Sequence, residues 1–327
     1  MLTKLSQVAC KIEAPEGTDI FGAGTAPAGA DIFLAFNAKF TPGLDMNKRA
    51  PARATLSPWP SLPGNRSAKM SFDVEMVGGM AAGSPIGSSN AGANIGLASA
   101  FVACGIQQTL VVATSATYKP YSIISGAAPL SNCAVSLAMM LDGKMRKIWG
   151  ARGNAKIVLE NGKPGMINFE FTGADWSEED ESLVAAAIVY NTNTPPVFQD
   201  ITLLVGAYAA TITKINIDLG NKVTLRKDAS ASSGNLSAII TGREPTISFD
   251  PENVLVATKD FMGIWKAGTV AALTASWGST PSAFALACDH VQYQSVTEGE
   301  RDGLATFDIN AMLTGVDGDD ELVLAIT

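Results

Sequence analysis

Lys69-Met-Ser-Phe-Asp-Val-Glu-Met-Val77 alternates throughout: Met70, Phe72, Val74 and Met76 fall on one side, Lys69, Ser71, Asp73 and Glu75 on the other. A side-chain period of two marks a strand with one face buried and one face wet. Thr246-Ile-Ser-Phe-Asp250 repeats the pattern around the same Ser-Phe-Asp centre. Working outward, alternation recurs at 155–159, 165–171, 214–219, 222–226 and 304–310, and 322–326 reads as a closing strand. The runs 155–159 and 165–171 flank Glu160-Asn161-Gly162-Lys163. Asn-Gly between alternating runs predicts a hairpin with a type I′ turn and positive φ at both central residues. Runs 214–219 and 222–226 flank Gly220-Asn221 and read as a second hairpin.

Helical signals are few. Ile95, Leu97, Phe101 and Val102 are spaced for one helix face over 94–104, with Gly105 as a stop. Residues 259–266 precede Gly268 in the same way. Ser177 followed by acidic residues to Glu181 predicts the cap of a short helix.

These features recur in one order. Each Ser-Phe-Asp strand is followed by an apolar helix ending at a glycine, then a β run (108–113 and 271–276), then an Ala-x-x-Leu-Ala strand (134–138 and 283–287). Each series ends in a strand leading into Thr-Gly-x-Asp, Thr172 to Asp175 and Thr314 to Asp317. A shared order of this kind is the mark of an internal repeat. The chain therefore reads as two copies of one β-rich unit, 1–175 and 201–327, joined by a linker over 176–200.

Of 327 residues, 47% are hydrophobic and 17% charged, a balance that excludes a disordered chain. The net charge of −8 offers no bulk basic surface for wrapping nucleic acid. No run reaches the ~18 apolar residues of a membrane span, and residues 1–10 lack the apolar core of a signal peptide. Cys10, Cys104, Cys133 and Cys288 form no Cys-x-x-Cys pair and read as free thiols in a reducing cytosol. A chain this apolar with so few charges is expected to bury surface between subunits. The first unit, 1–175, carries 15 basic and 11 acidic residues, and the remainder 8 and 20. Basic and acidic units are expected to meet as neighbours.

Catalytic chemistry is not legible. The one histidine, His290, follows an apolar run and reads as a strand residue. No Gly-x-Ser-x-Gly elbow, phosphate loop or zinc spacing occurs. Asp317-Gly-Asp-Asp-Glu321 lacks the ligand order of a calcium loop and reads as an acidic turn. No catalytic residue, cofactor or metal ligand is expected, although paired carboxylates of a hydrolase have no sequence spacing by which to exclude them.

Several stretches resemble the major tail proteins of long-tailed bacteriophages: Ala14-Pro-Glu-Gly-Thr-Asp-Ile-Phe21, Lys69 to Gly78, and Leu141-Asp-Gly-Lys-Met-Arg-Lys-Ile-Trp-Gly-Ala-Arg-Gly153. In the second half, Asp218-Leu-Gly-Asn221, Thr241-Gly-Arg-Glu-Pro245 and Asp302-Gly303 are similar to the same family. The resemblance implies a mainly β fold of two tandem tail-tube-like β-sandwich or barrel units, each with a short flanking α-helix. It further implies a structural virion protein, made in the bacterial host cytoplasm, that self-assembles into stacked rings forming the tail tube. Its partners would be copies of itself, three to a ring with pseudo-sixfold symmetry, and other tail proteins. Viral DNA would pass through the lumen without specific binding, and no membrane would be involved. Alternation makes Glu160, Glu170 and Asp308 candidates for the lumen face. The Pro-rich, basic segment 39–64, with Lys48, Arg49, Arg53, Leu56 and Trp59, is a candidate inter-ring or inter-subunit loop. Another tail component (terminator, baseplate hub or decoration protein) stays open beside this reading, as does the carboxylate hydrolase.

Overall fold

The computed structural model describes residues 5–22, 25–79, 85–87, 95–111, 115–122, 134–184, 188 and 190–326. The first half runs β1 (Ser6–Ile12), β2 (Ile32–Phe33), β3 (Phe36–Asn47), β4 (Leu62–Glu75), α1 (Ile95–Ala103), β5 (Ile106–Val111), β6 (Ser115–Pro120), β7 (Val135–Leu141), β8 (Lys144–Glu160), β9 (Met166–Gly173) and β10 (Asp175–Asp180). The second half runs β11 (Thr202–Val205), β12 (Lys214–Asp218), β13 (Asn221–Lys227), β14 (Asn235–Arg243), β15 (Thr246–Phe249), α2 (Phe261–Ala267), β16 (Val270–Trp277), β17 (Phe284–Arg301), β18 (Leu304–Leu313) and β19 (Val323–Ile326). Strands account for 55% of the described residues and helices for 6%, so the fold is mainly β with one short helix in each half. Among the described residues no helix is long and apolar enough to cross a membrane.

The pairings give both halves one strand order. In the first, β1 pairs with β7, β7 with the N-terminal part of β8, and that part with β10; the C-terminal part of β8 pairs with β9, β9 with β4, and β4 with β3. In the second, β11 pairs with β16, β16 with the N-terminal part of β17, and that part with β19; then β17 pairs with β18, β18 with β15, and β15 with β12. All are antiparallel. β8 and β17 are therefore the same device, one long strand shared between two sheets. β8 makes the change near Gly150, whose φ of +59° favours glycine. A Cβ there would lie 2.9 Å from that of Ala174. Helices α1 and α2 each follow the Ser-Phe-Asp strand, and α2 ends on Gly268 in the left-handed region.

The core lies on the apolar side of these strands and runs through both halves without a break. Phe72 packs against Phe33, Phe169 and Phe171 at ring-centroid distances of 5.3, 5.4 and 5.7 Å. Cys10, Cys104 and Cys288 are buried and unbonded, and burial pushes their thiols up. They fill core volume as small hydrophobes. Cys133 lies outside the described residues.

Four local expectations are corrected. Residues 175–180 are strand, not helix: Glu178 and Asp180 stand opposite Arg146 and Lys144 of β8, and Glu178 bonds the Lys144 ammonium at 2.8 Å. Cross-strand charge pairing outweighs the local capping signal, and it carries the first sheet into the 176–200 linker. Runs 214–219 and 222–226 do not pair with each other. β12 pairs with β8 and β15, whereas among the described residues β13 pairs with β14 alone. The chain kinks instead at Gly220, φ +63°, where a Cβ would strike the Glu244 carbonyl. The β8–β9 hairpin forms, but Val158 faces Met166 across it and only Gly162 of the Asn-Gly pair has positive φ. The longer connection relaxes the demand for a type I′ turn. Finally, much of 39–64 is strand rather than loop, since β3 runs to Asn47 and β4 starts at Leu62, leaving 48–61 as the loop.

One buried carboxyl ties β1 to β7 and β8. Glu13, fully buried, accepts hydrogen bonds from the Gly17 and Gly150 amides at 2.7 and 2.6 Å and from the Ser136 hydroxyl at 2.9 Å. Neighbouring Glu16 meets Arg152 of β8 at 3.4 Å and the Ser237 hydroxyl of β14. Burial, aided by the charge on Glu16, pushes Glu13 up to about 7 despite the three donors. A carboxyl raised from 4.5 to about 7 on folding contributes stability that is complete below about pH 4.5 and lost as pH rises through 7. That contribution is about 3 kcal/mol. Chemical denaturation at pH 5 and 8 is expected to give a shallower pH dependence for Glu13→Gln than for wild type. An unchanged dependence in the variant would show that Glu13 does not titrate in this range.

Candidate assembly interface

Where the halves meet, strands from both form one eight-stranded sheet in the order β3-β4-β9-β8-β12-β15-β18-β17. The join is the antiparallel pair β8–β12, with Leu159 opposite Ile215, Ile157 opposite Ile217 and Lys156 opposite Asp218. Ile157, Leu159, Ile215 and Ile217 are buried and seal its apolar side. On the polar side Asp218 takes the Lys156 ammonium at 2.8 Å and the Asn154 amide at 2.6 Å. These partners hold Asp218 below the usual carboxylate range against its own desolvation.

Register places Glu160, Glu170 and Asp308 on one face of this sheet, opposite the core, and all three are exposed. Each has a lysine beside it: Lys163 at 2.9 Å from Glu160, Lys69 at 2.8 Å from Glu170, and Lys214 at 3.8 Å from Asp308. Asp73 on the same face accepts from the Asn37 and Asn168 amides, each at 2.7 Å. The face is thus an interleaved ladder of charges and amides. The carboxylates stand out in the sequence by alternation, whereas their lysines do not, because Lys69–Glu170 and Lys214–Asp308 join residues far apart in the chain. Exposed pairs of this kind add little stability, but they leave the face close to neutral.

The two outer strands of the sheet are open. Among the described residues β3 pairs with β4 alone, and β17 beyond Gln292 pairs with β18 alone. The phase of the β17 ladder follows from two hydrogen bonds. The Phe307 amide turns away from β17 to the Pro251 carbonyl at 2.8 Å, and the Asp308 carbonyl faces β17, accepting from the Thr297 hydroxyl at 3.1 Å. Glu298, opposite Phe307, therefore directs its own N–H and C=O out of the sheet edge.

The repeat states what each open edge matches. Following partners across the sheet, Phe72 leads through Phe169 to Ala155, and Phe249 leads through Ile309 to Val296. Thr297 and Glu298 of β17 then correspond to Lys156 and Ile157 of β8. Likewise Thr41 and Phe40 of β3, opposite Lys69 and Met70, correspond to Asp218 and Ile217 of β12, opposite Thr246 and Ile247. The open edges of the chain are thus the counterparts of the two strands already joined inside it.

The loop 48–61 extends from the β3–β4 hairpin. Arg53 and Arg49 stack over the Trp59 ring at 4.5 and 5.5 Å, while Lys48 and Leu56 are exposed. A scan against protein-family models finds no match to this chain, and a search of curated proteins finds none.

Proposed function

We propose that this protein is a tail-tube subunit of a long-tailed bacteriophage, a structural virion component that closes into rings and stacks as a conduit for viral DNA. One observation carries the reading: the internal β8–β12 junction and the open edges β17 and β3 are counterparts. An edge that matches a different edge of the same molecule makes a head-to-tail contact, which closes into a ring when the rotation per copy allows. Open edges of this length are otherwise an aggregation hazard. Two units per chain fit three copies per ring, with β17 of each copy joining β3 of the next. Glu298 then comes beside Phe40, over whose ring the Arg146 guanidinium lies at 5.9 Å, a cation placed to meet it. The charge-balanced polar face would line the lumen. A lumen with no surplus of cations gives phosphates nothing to bind, so DNA slides.

The matched register supplies the test. Lys156 and Asp218 form a non-hydrogen-bonded pair, flanked by the Leu219 N–H to Ala155 carbonyl bond and the Asn161 N–H to Thr213 carbonyl bond. Such pairs sit about 4.5 Å apart at Cα, within disulfide range. Their counterparts across the proposed junction are Thr297 and Thr41. The double variant Thr41→Cys/Thr297→Cys, in a Cys133→Ser background, is expected to oxidise to interchain disulfides in a ladder that stops at three chains. A ladder stopping at six would overturn the three-copy ring and leave the tube; absence of interchain disulfides would overturn the junction. Electron microscopy of the purified protein adds the assembly class: open-ended tubes support the reading, and single closed rings overturn it in favour of a terminator-like component.

A further inference from the structure

The two helices occupy equivalent places but are covered differently. α1 is packed in: Leu97, Ala100, Phe101 and Ala103 are all buried. Over its C-terminal end lies the β13–β14 hairpin of the second half. Asn221, where that hairpin begins, donates its side-chain amide to the carbonyls of Cys104 at 2.7 Å and Gly153 at 3.0 Å, and its N–H to the Asn154 side chain at 3.0 Å. Farther out, Asn235 bonds the Arg66 carbonyl at 2.8 Å. The second half thus lays an arm over β8 and β9 of the first, with its root capping the C-terminal end of α1. Among the described residues α2 has no such cover: Met262, Trp265 and Val270 stand exposed at its surface and just beyond its end.

The counterpart of that arm is the outer part of the β3–β4 hairpin. Leu44 stands opposite Arg66 as Asn221 stands opposite Arg243, so Leu44 takes the place of Asn221. This arm is apolar and uncovered at Leu44, Met46 and Leu62. Within the chain this arm meets the second half only at its root, where the Arg66 amide donates to the Ser233 carbonyl at 3.0 Å and the Asn235 side-chain amide to the Arg66 carbonyl at 2.8 Å among the described residues, and these contacts leave Leu44, Met46 and Leu62 exposed. We infer that the β3–β4 arm of one copy seats on α2 of a neighbouring copy, repeating between chains the contact that β13–β14 makes with α1 inside one. Leu44 meets the C-terminal end of α2 beside Trp265 and Val270. The amide-to-carbonyl contact of Asn221 becomes an apolar contact, and both exposed patches are buried together. The inference rests on the ring reading, since the β17–β3 junction is what brings the arm over α2.

The full-length protein tests it. Leu44→Cys in a Cys133→Ser background, labelled with a benzophenone maleimide, is mixed with isotopically heavy unlabelled protein, assembled and irradiated. The expected adducts join light Leu44→Cys chains to residues 262–270 of heavy chains. Met262→Ser/Trp265→Ser in the heavy chain is expected to lower their yield about tenfold or more, and since Trp265 also donates to the Gln294 carbonyl at 3.1 Å, Met262→Ser alone is expected to lower it in the same direction with that bond kept. Adducts confined to the labelled chain, adducts elsewhere on the neighbour, or no adducts would each overturn the arm contact. The Thr41–Thr297 disulfide separates this failure from failure of the ring. Disulfides without α2 adducts sink the arm contact alone, whereas α2 adducts without disulfides sink the junction and keep the arm contact.

Discussion

Glu298→Pro is expected to abolish tube formation while leaving the subunit folded. The Glu298 N–H points out of the sheet, because its partner Phe307 bonds Pro251 rather than β17. Proline at this site therefore removes no hydrogen bond from the isolated chain. It removes a ladder donor at the open edge and puts a ring where a neighbouring strand must approach, which is how natural sheets block edge pairing. Electron micrographs should show no tubes, and light scattering should report single chains. The unfolding midpoint should stay within about 2 °C of wild type. The neighbouring Thr297→Pro supplies the contrast: position 297 faces β18, so proline there breaks the internal ladder and lowers the midpoint itself. A Glu298→Pro variant that assembles like wild type would remove the edge from the mechanism of assembly.

Phe72→Ala is expected to be the most destabilising single truncation in the core, costing ~3–5 kcal/mol. Phe72 is 1% exposed and lies within 6 Å of three other phenylalanine rings, so its loss leaves a cavity and removes three aromatic contacts. Its counterpart Phe249 is equally buried but among the described residues has one ring neighbour, Tyr293, at 6.1 Å. Phe249→Ala should fall at the lower end of the same range. Guanidinium unfolding followed by tryptophan fluorescence reads both. The continuous sheet through β8–β12 predicts one transition for each variant, since neither half can lose its strands without exposing the other. Two separated transitions in Phe72→Ala would show that the halves unfold independently.

Local patterns were legible wherever their cause was local. The alternation at 69–77 and 246–250 reads directly as strand because a pleated chain points successive side chains to opposite faces. Gly105 and Gly268 mark the helix ends because each needs positive φ, observed at +70° and +64°. The recurring order of strand, helix, strand and Thr-Gly-x-Asp is visible without coordinates, and so is the placement of Glu160, Glu170 and Asp308 opposite apolar neighbours. Partner choice was not legible. The acidic run 177–181 carries a helix cap signal, and only the basic strand opposite turns it into β10. Gly220-Asn221 has the composition of a hairpin turn. It becomes a kink because β12 finds better partners in β8 and β15, residues distant in the chain. The lysines that neutralise the polar face, the open edges of β3 and β17, and the exposure of α2 beside a buried α1 all depend on which strand lies next to which. Period, punctuation and repeat are set within a few residues and stand in the chain without coordinates. Pairing is settled in three dimensions, because a strand's hydrogen-bonding groups accept any partner of suitable register, and the choice among partners is made by side chains brought together from the whole length of the chain.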